Sequence, residues 1–184
     1  MNLRFTFSLL FLFIVIGGLV AVTQVLRTSD EIETRERLYR ISSSELVQID
    51  IKSKQNEITF EKKDGDWFIQ ASETIEEVEV DQERWGGVPF LLGGPQVVRN
   101  LPEDEDGPRD LSEYGLAPPE HRVMMTLLGG RVVEVHLGVE TPTKDGVYVK
   151  LSDAGDLFVV HGSWPDLLIK LLLDPPDGDY EEES

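Results

Sequence analysis

Leu46-Val47-Gln48-Ile49-Asp50-Ile51-Lys52 decides the fold by its alternation. Val47, Ile49 and Ile51 point one way, and Gln48 and Asp50 the other, which is the signature of a half-buried strand. Ile58 and Phe60 repeat it, with Thr59 and Glu61 outward. Lys63-Asp64-Gly65-Asp66 is a turn signal leading into Trp67-Phe68-Ile69, so a hairpin follows. The three runs together predict a three-stranded antiparallel meander.

Downstream, Val80 and Asp81 open a helix with Asp81 as its N-cap. Gly86, Gly87, Pro89, Gly93, Gly94 and Pro95 keep that helix short or broken. Residues 96–101 read as a strand and 102–110 as an acidic loop containing Pro and Gly. Residues 122–128 and 131–137 flank Gly129-Gly130, a step suited to a two-residue hairpin turn with positive φ. Both faces of 122–128 are partly apolar, which predicts a central strand covered on both sides. Residues 147–151 and 157–160 form a further hairpin around 153–156. Ser163 then caps a helix whose apolar positions Trp164, Leu167, Leu168, Leu171 and Leu172 follow i, i+3, i+4, i+7, i+8 spacing. Pro175-Pro176 stop it. Strands followed by a helix thus occur twice, although no side-chain string repeats at a fixed period.

Upstream, residues 5–26 contain no charged side chain, with Arg4 and Arg27 at the two ends. That length matches the roughly 20 residues needed to cross a hydrocarbon core of about 30 Å. A secretory signal has a shorter apolar core, about 7–15 residues, and a small-residue cleavage site; Leu19 and Ala21 do not supply one. The expectation is an uncleaved anchor over 1–27 and a charged juxtamembrane stalk over 28–45, helical and solvated where Glu and Arg alternate. An α+β domain over 46–173 and an acidic, disordered tail over 174–184 follow. The fold class expected is therefore α+β: antiparallel hairpins and meanders with two short helices, preceded by one N-terminal transmembrane helix. Arg27, Arg35, Arg37 and Arg40 on one flank oppose Arg4 and the free amine on the other, so flanking charge leaves orientation open. Short N-terminal tails commonly stay inside, which places the domain outside the cell membrane on a single-pass anchor.

The chain has 35 acidic and 17 basic residues, and all but Arg4 of these lie beyond residue 26. So acidic a surface repels phosphate backbones and excludes nucleic acid as a partner. Cysteine is absent, which removes disulfides, zinc thiolates and cysteine nucleophiles.

Two stretches are distinctive. One is Asp110-Leu111-Ser112-Glu113-Tyr114-Gly115-Leu116-Ala117-Pro118-Pro119; the other is Leu137-Gly138-Val139-Glu140-Thr141-Pro142, followed by Gly146-Val147-Tyr148-Val149. A Tyr-Gly-Leu turn with paired prolines, a strand, a Leu-Gly step, Thr-Pro and a Tyr-Val strand resemble domain-of-unknown-function family 4340. The Asp64–Ile69 hairpin and the helix start at Val80-Asp81 are similar to it too, so the resemblance spans roughly residues 46–173. It implies a bacterial, membrane-anchored α+β module of the kind often encoded beside ABC-type transporter and gliding-type auxiliary components. No catalytic residue comes with it. The chain departs from the family at Gly86-Gly87 and Pro89, where a longer helix is the pattern.

Tyr114, Gly115, Leu116, Pro118, Pro119, Leu137, Gly138, Thr141, Pro142 and Tyr148 read physically as a fold-forming set. The tyrosine rings pack, Gly115 supplies a backbone angle closed to other residues, and the prolines extend the chain into the next strand. Other chemistry finds little footing. His121, His136 and His161 lack the spacing of a helical metal motif. The run Glu103-Asp104-Glu105-Asp106-Gly107 lacks the spaced acids of a calcium loop. No glycine step forms a phosphate cradle, and serines 42–44 form no nucleophile elbow. The reading is a non-enzymatic accessory module of a membrane complex, with protein partners, no cofactor, no metal and no small-molecule ligand. Trp67, Trp85, Tyr148 and Trp164 motivate the alternative, an extracytoplasmic ligand-binding sensor whose pocket they would line; their other role is to fill a core.

Overall fold

The computed structural model describes residues 36–71, 77–102 and 109–177. The apolar run, the acidic run at 103–107 and the end of the tail lie outside them. Among the described residues no helix is long and apolar enough to cross a membrane.

Nine strands form one sheet in the order β4-β3-β2-β1-β6-β7-β8-β9-β5, and every pairing is antiparallel. The expected three-stranded meander is there as β1 (Leu46–Ser53), β2 (Glu57–Lys63) and β3 (Asp66–Ala71), and β4 (Glu77–Glu79) extends it to four. A second meander runs through β6 (His121–Leu127), β7 (Val132–Glu140), β8 (Val147–Leu151) and β9 (Leu157–Val160). The two lie back to back across the β1–β6 seam, where Ile49 faces Met125 and Ile51 faces Val123. All four side chains are fully buried on the helix-bearing face.

Each meander is followed by helix. In the first, Asp81 caps α1 (Gln82–Trp85) as the sequence predicts, accepting from the N–H groups of Glu83 and Arg84. Gly87, at φ +88°, breaks the helix, and α2 (Val88–Leu91) begins after it. In the second, α3 (Ser163–Leu173) is continuous over 11 residues. Trp164, Leu168, Leu171 and Leu172 are buried along it, with Leu167 half-buried beside them. Trp85 stacks on Phe60 at 4.7 Å and meets Trp67 at 5.2 Å, while Trp164 meets Tyr39 edge-on at 6.3 Å.

The chain then exchanges sides. After α2 it crosses to add β5 (Val97–Leu101) outside β9, at the far edge of the second meander. After α3 it returns, and Asp177 bridges Val80 beside the first. The segment at 174–177 is therefore part of the body and not of a disordered tail: Pro176 is buried, and its carbonyl accepts from Asp81 N–H at 2.9 Å.

Four further expectations are corrected. Residues 36–41 are not part of a solvated helical stalk. They run along 93–97, with Val97 N–H donating to Glu36 O, Leu38 N–H to Pro95 O and Ile41 N–H to Gly93 O. Leu38 and Ile41 are buried, and the compact unit begins at Glu36 rather than at residue 46. A register shift at Val47 places Leu46, not Val47, in the core. The β6–β7 loop takes in Leu128 as well as the two glycines, because Leu127 N–H reaches Arg131 O and Gly130 N–H reaches Leu127 O. Finally, β6 is central but covered on one face only: Met124 is 38% exposed. Apolar residues on both faces of a strand do not by themselves say that both faces have a cover.

Candidate functional site

The ten motif residues gather at the second meander, mostly on the face opposite the helices. Residues 111–114 form a single 3-10 turn capped by Asp110, whose carboxylate accepts from Ser112 Oγ and N–H and is thereby held below the usual carboxylate range. The chain reverses at Gly115 (φ +67°) and lies directly on the Gly138-Val139 backbone. A Cβ on Gly138 would sit 2.0 Å from Tyr114 O, so only glycine admits the contact. Leu116 is buried there, and Leu157 and Val159 are likewise buried outside the main cluster. Tyr114 and Tyr148 pack edge to face at 4.9 Å, and the Arg109 guanidinium lies 5.9 Å from the Tyr114 ring.

The rest of the set organises the adjacent backbone. Leu116 bridges Pro119 across the exposed Pro118, and Leu137 O accepts from Glu120 N–H at 3.2 Å. Thr141 is the one buried polar residue among those described. Its Oγ1 donates to Asp145 at 2.5 Å and accepts from Asp145 N–H at 3.2 Å, closing the loop that the exposed Pro142 enters. Thr143 also donates to Asp145, and Arg99 of β5 pairs with it at 3.1 Å. These bonds, the Thr141 hydroxyl first, hold the Asp145 carboxyl below its ordinary range.

The histidines stay apart. His136 meets Glu134 at 2.7 Å on the open face of the sheet, and His121 starts β6. His161 precedes α3, where its Nδ1 accepts from Ser163 N–H at 3.3 Å and lies 3.0 Å from Ser163 Oγ. Ser163 is therefore the first helical residue and not the cap, which falls at Gly162. A serine beside a histidine has the parts of a nucleophile and base, but no third side chain orients this ring among the described contacts. No group of three potential metal ligands occurs among the described residues.

A depression of about 490 Å³ lies beside His161 and Ser163, bordered also by Lys144, Asp145 and Asp166. A groove of about 640 Å³ runs between the β1–β2 tip and the C-terminal end of α3. Ile58, Ile69, Val78 and Leu172 form its apolar floor, and Lys52, Lys54, Glu57 and Asp177 its charged rim. Lys52 is paired with Glu57 at 2.6 Å. A smaller depression of about 310 Å³ continues past the tip to His121 and Leu173. The groove offers an apolar slot with charges at its mouth. Ser53, the one hydroxyl that lines it among the described residues, is occupied in the turn, accepting from Gln55 and Asn56 N–H. The sequence gives no hint of this groove, because its two walls are a hairpin tip and a helix end more than a hundred residues apart.

Trp67, Trp85 and Trp164 are all buried in the main core, and Tyr148 packs on Tyr114. No protein-family model matches the chain, and neither a curated protein nor a solved structure does.

Proposed function

We propose that the chain is a non-enzymatic, membrane-tethered accessory module of a membrane complex, of the ABC-type export or envelope-assembly kind. Residues 5–26 are its single-pass anchor, and the domain stands on the extracytoplasmic side. The observation that carries this reading is the way the chain joins the body. Residues 36–41 are bonded along 93–97, with Leu38 and Ile41 buried, so the body is held at a fixed place along the chain that follows the apolar run. Only residues 27–35 lie between that run and the body. The resemblance to family 4340 supports the same role.

Purification of the full chain in mild detergent tests it: a stoichiometric membrane-protein partner is expected. Gly94→Ala, whose Cβ would lie 1.9 Å from Tyr39 O, breaks the junction. It is expected to lose the partner while the chain stays in the membrane fraction. A wild-type chain that purifies alone overturns the reading, and a reporter fused after Ser184 that proves active only inside the cell overturns the orientation.

The groove favours a second reading, the extracytoplasmic ligand-binding sensor, now with Ile58, Ile69, Val78 and Leu172 as its lining in place of the aromatic residues. An apolar carboxylate such as a medium-chain fatty acid suits a floor of this kind with Lys54 at its mouth. Saturable protection against thermal unfolding, abolished in Val78→Trp, would establish it; no shift at millimolar ligand would remove it.

A further inference from the structure

Seven large apolar side chains are exposed among the described residues, and four of them border one corner of the fold. Phe90 and Leu91 are 74% and 54% exposed, and Leu128 and Val132 are 64% and 51% exposed. The corner is the turn from Ile41 to Glu45 that feeds β1. On one side Ile41 N–H bonds to Gly93 O, immediately after α2. On the other, Leu128 N–H bonds to Glu45 O at 2.7 Å, and Val132 begins the returning strand. Two elements distant in sequence therefore present their least covered apolar residues on either side of the same short turn.

We propose that this rim rests in the headgroup region of the bilayer that anchors the chain, with Phe90 and Leu128 reaching toward the acyl boundary. The proposal rests on the anchor reading above. Three observations choose lipid as the occupant. The first is reach: residues 27–35 separate the apolar run from the body, and nine residues extend at most about 30 Å, so the anchored body stays close to the surface. The second is the form of the rim. Two loop tips carrying a Phe and three aliphatic side chains make two small projections that suit the soft headgroup layer, where aromatic rings are favoured. The third is local charge. Around this corner three exposed arginines, Arg37, Arg40 and Arg131, stand against two exposed glutamates, Glu36 and Glu45, in a chain of formal charge −18. The consequence for the groove is geometric. The β1–β2 tip lies at the other end of β1, whose eight residues span about 26 Å. With the rim in the membrane, the groove opens away from it.

The absence of cysteine makes the test direct. Phe90→Cys, Leu128→Cys and Lys54→Cys are each made in the full chain, labelled with an environment-sensitive fluorophore, and reconstituted in phosphatidylcholine vesicles with or without doxyl-labelled lipid. Labels at 90 and 128 are expected to shift to the blue and to lose at least half their emission to shallow doxyl groups, while the label at 54 stays wet and unquenched. Carbonate extraction of the same vesicles separates the two readings. A chain that resists extraction but is no better quenched at 90 and 128 than at 54 overturns the rim and leaves the anchor standing. A chain that is extracted overturns both. Labels dry but unquenched by lipid mean that protein covers the rim, a second copy or a partner, and the proposal falls.

Discussion

The first meander carries its helical cover as two four-residue turns separated at Gly87, whereas the second carries eleven continuous residues of α3. The second is also closed over part of its other face, where the turn at 114–116 lies on Gly138 and buries Leu116. The first has no such cover: Gln48, Asp50 and Thr59 occupy its open face as a small network, Asp50 accepting from Gln48 Nε2 at 2.9 Å and from Thr59 Oγ1 at 2.7 Å. The groove lies against the first meander, and its wall is the far end of the second meander's helix. The same strand order has been finished differently, as a sheet partly covered on its second face in one half and as a one-sided sheet in the other. Stability concentrates where both faces are covered, and surface available to a partner is left where one is bare.

The comparison breaks most readily at Gly138. Gly138→Ala places a Cβ against the Tyr114 carbonyl, a contact that only backbone movement relieves. A loss of more than about 3 kcal/mol, the upper end of overpacking costs, is expected. Gly65→Ala at the β2–β3 turn of the first meander meets nothing within 4 Å and bears only its positive φ of +110°, about 1–2 kcal/mol. Urea midpoints of the full chain in detergent read both. Equal losses would mean that the 114–116 cover adds nothing.

Leucine truncation sharpens the same contrast. Leu168 is 1% exposed in the middle of α3, and Leu92 is fully buried at the end of α2. Both leave a cavity as alanine, and the cost depends on how far the surroundings collapse. A continuous helix holds its shape around the hole, so Leu168→Ala is expected to lose about 3 kcal/mol. Leu92 is followed by Gly93 and Gly94, and its neighbours can close in, so Leu92→Ala is expected to lose about 2 kcal/mol. Chemical denaturation compares the two directly, and a larger loss at Leu92 would reverse the ranking of the halves. Below these stands Asp81→Ala, which removes the α1 cap bonds at 2.8 and 3.4 Å. It is expected to lose about 1 kcal/mol, a large effect on a helix this short and visible as faster amide exchange at Glu83 and Arg84.

What the sequence makes legible here is local. The β1–β2–β3 meander, the Asp81 cap, the break before Pro89 and the apolar stripe of α3 each follow from neighbours a few residues apart. The β1–β6 seam does not, because Ile49 and Met125 are far apart in the chain and nothing in either strand names the other. The bulge at Val47 is hidden for a related reason. Strict alternation puts Val47 inward, and only the pairing of Leu46 with Leu127 reverses it. Met124 and Leu128 read as covered because apolar side chains on a second face read alike whether a cover is present or not. The motif residues announce tight turns and close backbone approach, and that is where they sit. The groove and the apolar rim arise from loops brought together by tertiary structure, and composition alone carries no trace of either.

The smallest effect expected is the dependence on acid at the loop that fastens β5 to the second meander. Asp145 is ionised in its bonds to Thr141, Thr143 and Arg99, and its folded pKa lies below its ordinary value. A group depressed on folding contributes stability above the unfolded pKa, and the contribution is lost as pH falls through the folded one. Its side chain is 42% exposed, so solvent screens the ion pair and leaves the Thr141 hydroxyl as the main source. Asp145→Asn is therefore expected to lower the urea midpoint at pH 7, by an amount that shrinks toward wild type as pH falls through the folded pKa. Thr141→Val, which keeps the shape but not the hydroxyl, is expected to give the same convergence in acid. The corresponding network on the first meander, Asp50 with Gln48 and Thr59, lies on the open face and ties no second element to the sheet. Asp50→Asn is expected to shift the midpoint less than Asp145→Asn at pH 7. A larger shift at Asp50 would show that the network on the bare face, and not the loop holding β5, contributes more to stability.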